Sequence, residues 1–336
     1  MAALRMGNGP IFIVGAPRSG TKLFRDMLSA HPRLSFPPES HFIPPFYRAF
    51  GDPADEKEAV QLAKAILRYS WVWSWRLSLE PEQLAGQRSF AGLTAEIFEA
   101  WARREGKPRW GDKTPGYVRE IPLVLSLFPD AQFLHVYRDG RDVARSVLPM
   151  NWSPGNAFCA AELWRDSVRA GRAAGRTLPE GRYMEVRYER LVSDPEPVMR
   201  DVCDFLGEDF DSDVTRPKRP RGELRAAHLP PLEATPVETR HQVSTARVGS
   251  WRTEMRRRDV ATVEAVAGEL LTELGYPPSG ESRRIRPGER AAWHAHGRAV
   301  RLARSVKLAD PLRVRVGRRL ILWRAGLRRR PRGDSD

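Results

Sequence analysis

An apolar strand that leads into a glycine-bounded loop and then a helix restricts the fold of this chain more than any other feature. Residues 11–14 are all apolar and lie between Pro10 and Gly15, which is typical of a strand buried on both faces of a sheet. Beyond the loop, apolar residues recur at positions 23, 24, 27 and 28, the spacing of one helix face. This order predicts the first unit of a parallel α/β sheet.

The same order recurs further along the chain. Strand patterns at residues 133–137 and 183–188 are each followed by a helical pattern, and weaker strands are expected at 34–36 and 109–111. Repeated units of this kind predict a doubly wound parallel sheet of the P-loop NTPase type, with helices on both faces.

Positive charge is concentrated at the C-terminal end. The whole sequence has 56 Lys and Arg against 42 Asp and Glu, a net charge of +14, yet residues 282–336 contain 17 of the basic and 4 of the acidic residues. A turn-rich segment at 276–280 precedes this excess. We therefore predict one domain over residues 1–280 and a basic C-terminal tail over 281–336.

The tail pattern favours a surface partner. Apolar residues at 312, 316, 320, 323 and 327 with arginines around them predict a basic amphipathic helix, which is typical of contact with an anionic membrane. Docking on the body of the protein or a disordered extension are the alternatives. No nucleic-acid recognition module accompanies the charge, which disfavours nucleic acid as a partner.

The sequence also bears on the cellular compartment. It has no run of about 20 apolar residues and no signal-peptide layout, and its two cysteines cannot form a disulfide framework. We expect a cytoplasmic protein that contacts the inner membrane face, if at all, through its tail.

The loop after the first strand has the composition of a phosphate-binding turn. Its glycines let successive backbone N–H groups point at one anion, and the helix that follows adds the positive end of its dipole. We predict that a phosphate is bound here by Arg18, Ser19, Gly20, Thr21 and Lys22. The alternative is an ordinary turn whose Ser and Thr cap the helix.

This loop differs from a Walker A sequence at the position that matters for ATP. Walker A has Lys followed by Ser or Thr after its second glycine, whereas Gly20 is followed by Thr21 and then Lys22. The reversed order disfavours a Mg²⁺-dependent kinase, which stays the alternative enzyme, and we expect that the reaction requires no metal cofactor. A nucleotide- or membrane-binding module without catalysis is the non-enzyme alternative.

A second basic cluster follows the strand at 133–137. Arg138 stands at the strand end and Ser146 lies eight residues later in a helical pattern. A guanidinium and a hydroxyl are suitable ligands for a second, separate phosphate. The alternative for Arg138 is an ion pair with Asp139 or Asp142.

Together the two clusters resemble the sulfotransferases that use 3′-phosphoadenosine 5′-phosphosulfate and release 3′,5′-adenosine bisphosphate. The resemblance implies that the first loop holds the 5′-phosphosulfate and that Arg138 and Ser146 hold the 3′-phosphate. Residues 110–115 are similar to a family stretch whose lysine, here Lys113, lies near the sulfuryl group. The motifs appear in family order from about residue 11 to residue 277.

A late loop extends the resemblance, and one position of the phosphate loop departs from the family pattern. Residues 243–252 are similar to the loop that closes over the adenosine and 3′-phosphate, which implies a phosphate contact for Arg247. The family usually has a second Thr or Ser where this chain has Lys22. The ammonium at the helix start replaces the missing hydroxyl in our interpretation.

The transfer needs a cation for the leaving group and a base for the acceptor. We predict that Arg18, helped by Lys22 and Lys113, stabilises the leaving group. Glu39 matches the position of the base in tyrosylprotein-type and some carbohydrate sulfotransferases, and it follows a strand on the same sheet edge as the loop. His41 is the alternative base, and a helix cap or ion pair is the alternative role for Glu39.

The sequence does not identify the acceptor. A hydroxyl or amine of a small molecule, a carbohydrate or a lipid-linked compound fits the reaction. Tryptophans at 71, 73, 75 and 101 suit either an aromatic acceptor cleft or core packing.

Overall fold

The computed structural model describes residues 9–216 and 243–307 of the chain. In this part, five parallel strands form one sheet in the order β2-β3-β1-β4-β5. The strands are β1 (Ile11–Gly15), β2 (Leu34–Ser35), β3 (Arg109–Lys113), β4 (Gln132–Tyr137) and β5 (Tyr183–Arg187).

Thirteen α-helices are present in the described residues, together with 3₁₀ turns at Pro81–Leu84, Pro115–Arg119, Ser212–Thr215 and Thr245–Arg247. The helices are α1 (Thr21–Leu28), α2 (Ile43–Phe50), α3 (Glu56–Leu67), α4 (Ser70–Trp73), α5 (Phe90–Arg104), α6 (Ile121–Leu127), α7 (Gly140–Val147), α8 (Ala157–Gly175), α9 (Tyr188–Ser193), α10 (Pro195–Leu206), α11 (Trp251–Glu254), α12 (Arg257–Glu273) and α13 (Pro287–Lys307).

The central strand β1 faces two apolar cores. Phe12 and Val14 pack among side chains of α2, α3 and α5. Ile11 and Ile13 point the other way, toward residues of α1 and α10. Period-two alternation of buried residues on both faces is what a central parallel strand requires. Helices therefore cover both faces, and the predicted doubly wound α/β fold is confirmed.

Both weakly predicted strands are present. β2 is only two residues long, while β3 continues beyond residue 111 because its register with β1 extends to the pair Ile13 and Lys113. That extension matters for the site, since it makes Lys113 the last residue of a buried strand. The third strong pattern ends one residue early, and Tyr188 begins α9 instead.

The first part of the predicted tail is helical and packs against the domain. Asn156 at the start of α8 donates its side-chain amide to the Trp293 carbonyl of α13 (2.9 Å). The amphipathic segment at 312–327 lies outside the described residues, so the boundary at 280/281 and the form of the tail stay predictions. Within 9–216 and 243–307, every helix is too short or too polar to cross a membrane.

Candidate active site

The predicted site residues gather at one edge of the sheet, where all five strands have their carboxyl ends. In sheet order, the residues at or just beyond the ends of β2, β3, β1, β4 and β5 are Glu39, Lys113, the loop 15–22, Arg138 and Tyr188. Ligands of open parallel sheets bind at this edge. The fold thus brings together groups that lie up to about 170 residues apart in the sequence.

The loop between β1 and α1 is a tight turn. Ser19 donates its backbone N–H to the Ala16 carbonyl (3.2 Å), and both Arg18 and Gly20 have positive φ, 70° and 97°. Left-handed residues in such a turn aim successive N–H groups at a common point. Ser19 is fully buried, and its hydroxyl finds no hydrogen-bond partner in the described part of the chain. A buried donor of this kind is suited to a ligand oxygen.

The start of α1 excludes the capping alternative for this loop. Gly20 is the N-cap residue, and no side chain among the described residues caps the helix. Thr21 is buried in the first turn, whereas the side chain of Lys22 is exposed. The free N-terminal amides of α1 are therefore available to an anion.

Tyr188 is a site residue that the sequence did not reveal. Its ring packs against Gly20 so closely that a Cβ there would lie 2.2 Å from the ring. The same ring lies 4.4 Å from the guanidinium carbon of Arg138, a cation–π distance. Tyr188 thus fixes the spacing between the loop and Arg138, although its segment was interpreted as scaffold.

Arg138 is buried at the end of β4 and faces the late loop. It donates from Nη2 to the carbonyl of Arg247 and lies 3.4 Å from Asp142. Its Nε has no hydrogen-bond partner among the described residues. The ion pair with Asp142, which is the alternative role for Arg138, is therefore present, and it leaves the Nε donor of the guanidinium without a partner in the described part of the chain.

Asp142 has a further role that explains its complete burial. Its carboxylate accepts the backbone N–H groups of Gly249 (2.8 Å) and Trp251 (2.9 Å). These bonds hold the late loop against α7 and so bring Arg247 to Arg138. The side chain of Arg247 is exposed.

The two predicted phosphate clusters meet through one hydrogen bond. Arg18 donates from Nε to the hydroxyl of Ser146 on α7 (3.0 Å). Parallel pairing of Gly15 with Val136 places the two strand ends side by side. The residues predicted for the 5′ and the 3′ ends of the donor therefore lie side by side on the surface at this sheet edge.

Glu39 lies at the other end of this surface in contact with two partners. Lys113 donates to Oε1, and His41 Nε2 lies 2.7 Å from Oε2. Burial by itself would raise the pKa of Glu39, but the Lys113 ammonium and the His41 ring outweigh it and hold that pKa well below its usual range. Glu39 is therefore a carboxylate, as a proton acceptor must be.

His41 is placed to orient Glu39. Its backbone has a positive φ of 53°, and its ring lies 4.2 Å from the ring of Trp71. The helix that follows begins at Ile43 and has no side-chain cap, so Glu39 is not a helix cap. The ion-pair alternative for Glu39 is present, with a lysine rather than an arginine.

A buried network positions the segment that carries Glu39. Ser40 donates its hydroxyl to Asp112 (2.6 Å) and its backbone N–H to Thr114 (3.2 Å), while Tyr117 lies 3.0 Å from the Ser40 hydroxyl. All four side chains are buried. Because Asp112 and Thr114 flank Lys113, the network fixes both partners of the Glu39–Lys113 pair.

We expect Asp112 to make stability depend on pH. Burial raises its pKa from 3.8 to about 6, despite the hydroxyl donors. Between pH 3.8 and about 6 the folded state therefore binds more protons than the unfolded state. The stabilisation that Asp112 contributes is complete below pH 4 and is lost as the pH rises through 6. The free energy of unfolding falls by roughly 3 kcal/mol over this range.

Urea unfolding from pH 4 to pH 7 measures this effect. Asp112→Asn should flatten the slope between pH 4 and 6, and Asp201→Asn, at an exposed position on α10, should leave it unchanged. An unchanged slope in Asp112→Asn would show that the carboxyl is ionised in the folded protein throughout.

Comparison with known proteins identifies the family of this chain. A model of the sulfotransferase family matches residues 10–212, more than half of the chain. The chain belongs to the sulfotransferase family. The predicted family and transferase class are thereby confirmed. Sulfotransferases of this kind take the sulfuryl group from 3′-phosphoadenosine 5′-phosphosulfate, and the membership supports that donor.

Curated relatives are similar over most of this chain. A protein-tyrosine sulfotransferase of Drosophila melanogaster is 26% identical over 283 residues, which cover 80% of this chain and 52% of that protein. The nodulation protein NoeE of Sinorhizobium fredii is 28% identical over 290 residues, with 80% and 66% covered. The chain thus spans about half to two thirds of the length of these relatives.

Solved structures agree on the fold. A sulfotransferase domain from the Synechococcus PCC 7002 olefin synthase is 27% identical with a TM-score of 0.52, over 78% of this chain and 95% of that domain. A sulfotransferase domain from the curacin biosynthetic pathway reaches a TM-score of 0.54 at 22% identity, over 78% and 97%. The roles of individual site residues stay predictions.

Proposed function

We propose that this chain transfers a sulfuryl group from 3′-phosphoadenosine 5′-phosphosulfate to a hydroxyl or amine of an acceptor. The observation that carries the proposal is the pair of cationic clusters at the neighbouring ends of β1 and β4, joined by the hydrogen bond from Arg18 to Ser146. A donor with phosphates at two positions of one ribose needs two such clusters. The turned amides and the unpaired Ser19 hydroxyl fit an anion in the first of them.

The second cluster suits the 3′-phosphate. Arg138 offers its Nε donor there, Ser146 offers a hydroxyl, and Arg247 lies on the loop that Asp142 holds in place. A guanidinium recognises a phosphate dianion by charge and by directed hydrogen bonds together. We assign the choice of a 3′-phosphorylated nucleotide over ADP to this cluster.

The other end of the surface supports the chemical step. The donor supplies a sulfur whose bond to the 5′-phosphate oxygen breaks as the acceptor oxygen or nitrogen attacks. Glu39 takes the acceptor proton, while Arg18 and Lys113 stabilise the negative charge that develops on the leaving phosphate. As Lys113 turns toward that charge, it no longer depresses the pKa of Glu39, and the carboxylate becomes a stronger base.

The names of the relatives suggest acceptors to test. Protein tyrosine is the first candidate, since relatives are named protein-tyrosine sulfotransferase. Carbohydrate and small-molecule hydroxyls stay candidates from the sequence. Incubation with ³⁵S-labelled donor and a panel of tyrosine peptides, oligosaccharides and phenols measures transfer directly. Label in an acceptor supports the proposal, and donor binding with no transfer to any acceptor class would favour a non-catalytic module.

We further propose that the C-terminal tail brings the enzyme to an anionic membrane. The support is the excess of 17 basic over 4 acidic residues in 282–336, together with its amphipathic spacing. Full-length protein should co-sediment with vesicles that contain phosphatidylglycerol, and a chain ending at Glu281 should not. Equal partitioning of the two would contradict a membrane role.

A further inference from the structure

A group of metal-binding side chains lies away from the active site, where α13 crosses α8. Cys159 and Glu162 are one helical turn apart on α8, and His294 approaches them from α13. One ligand atom of each lies within 4.8 Å of the other two. We propose that these three residues bind a divalent transition-metal cation, Zn²⁺ by preference, which fastens α13 to the domain.

The two helices are held in close contact at this point by features independent of any metal. Gly297 of α13 passes so near that a Cβ there would lie 2.7 Å from the Pro154 carbonyl and 3.1 Å from the sulfur of Cys159. The Trp293 carbonyl accepts hydrogen bonds from Asn156 (2.9 Å) and from the Cys159 thiol (3.7 Å). This crossing fixes the position of His294 relative to α8.

The spacing between His294 and Glu162 suits a tetrahedral ion. Nε2 of His294 lies 3.6 Å from Oε2 of Glu162. Metal–ligand bonds of about 2.0–2.3 Å give tetrahedral edges of about 3.3–3.8 Å. The His294 ring also packs edge-on against Phe158 at 5.3 Å, and Arg165 lies 3.9 Å from the other carboxylate oxygen, Oε1.

The donor set selects the class of metal. A thiolate, an imidazole and a carboxylate together suit Zn²⁺, whereas Mg²⁺ and Ca²⁺ prefer oxygen ligands alone. On binding, the Cys159 thiol releases its proton to solvent, so one thiolate and one carboxylate balance the two charges of the ion. A water molecule completes four-coordination, because His294 is about half exposed.

Cobalt(II) chloride is the probe that tests this site in the full-length, tag-free protein. One equivalent of Co²⁺ should give a thiolate-to-cobalt charge-transfer band, and ZnCl₂ should displace it. Cys159→Ser should abolish the band, while Glu162→Gln and His294→Ala should each weaken Co²⁺ binding by at least tenfold. ZnCl₂ should raise the unfolding temperature of the wild type more than that of Glu162→Gln.

Two matched variants serve as controls. Cys203→Ser removes the other buried cysteine, on α10, and His296→Ala removes a neighbouring histidine of α13. Both should keep the band and the affinity. Absence of a charge-transfer band in the wild type at saturating Co²⁺, or its persistence in Cys159→Ser, would overturn the proposal. If Cys159→Ser does not fold, undiminished Co²⁺ affinity in both Glu162→Gln and His294→Ala would overturn it equally.

Discussion

Glu39→Gln should lower kcat by about 100- to 10,000-fold, the usual contribution of a positioned general base. Glutamine keeps the size of the side chain and an oxygen for Lys113, but it cannot accept the acceptor proton at neutral pH. The affinity for 3′,5′-adenosine bisphosphate should not change, because the phosphate loop and Arg138 lie at other strand ends. Steady-state kinetics and calorimetric titration of the same preparation separate the two effects.

The matched controls distinguish Glu39 from its neighbour His41. His41→Ala should reduce kcat far less, since His41 contacts Glu39 at 2.7 Å and acts by orienting it. Glu56→Gln, at an exposed position on α3, should behave as the wild type. A larger loss in His41→Ala than in Glu39→Gln would make the histidine the base, and undiminished turnover in Glu39→Gln would remove the carboxylate from the mechanism.

The position of the site could be predicted because it depends on topology. The phosphate loop and Arg138 each follow an apolar run that predicts a strand, and parallel strands place their carboxyl ends at one edge whatever the details of packing. The pairing of Glu39 with Lys113 could not be predicted in this way. It depends on the register of the short strand β2 with β3, where Leu34 lies opposite Arg109, and no local pattern specifies that register.

The residues that the sequence did not reveal act through tertiary contacts. Tyr188 reaches Gly20 and Arg138 only because β5 pairs with β4. Asp112 looks like one carboxylate in a basic motif, and its raised pKa comes from complete burial behind the Glu39 segment. Burial of a polar group is decided by elements distant in sequence, so it has no local signal.

Arg138→Ala should weaken binding of 3′,5′-adenosine bisphosphate by about 10- to 150-fold, which corresponds to a charge-assisted hydrogen bond of roughly 1.5–3 kcal/mol. Affinity for ADP should change little, because ADP has no 3′-phosphate. The ratio of the affinities for 3′,5′-adenosine bisphosphate and ADP should therefore fall. Calorimetric titration of wild type and variant with both ligands measures this ratio.

Loss of the guanidinium also leaves Asp142 buried beside a void, so the variant could lose binding through the late loop instead of the phosphate. Ser146→Ala separates the two, since the Ser146 hydroxyl contacts Arg18 and makes no hydrogen bond to residues 243–252, the described part of that loop. It should lower affinity for the bisphosphate severalfold and spare ADP. Arg169→Ala, at an exposed site on α8, should change neither affinity. Equal losses for both nucleotides in Arg138→Ala and Ser146→Ala would place the 3′-phosphate elsewhere, since a true 3′-phosphate ligand must discriminate between them.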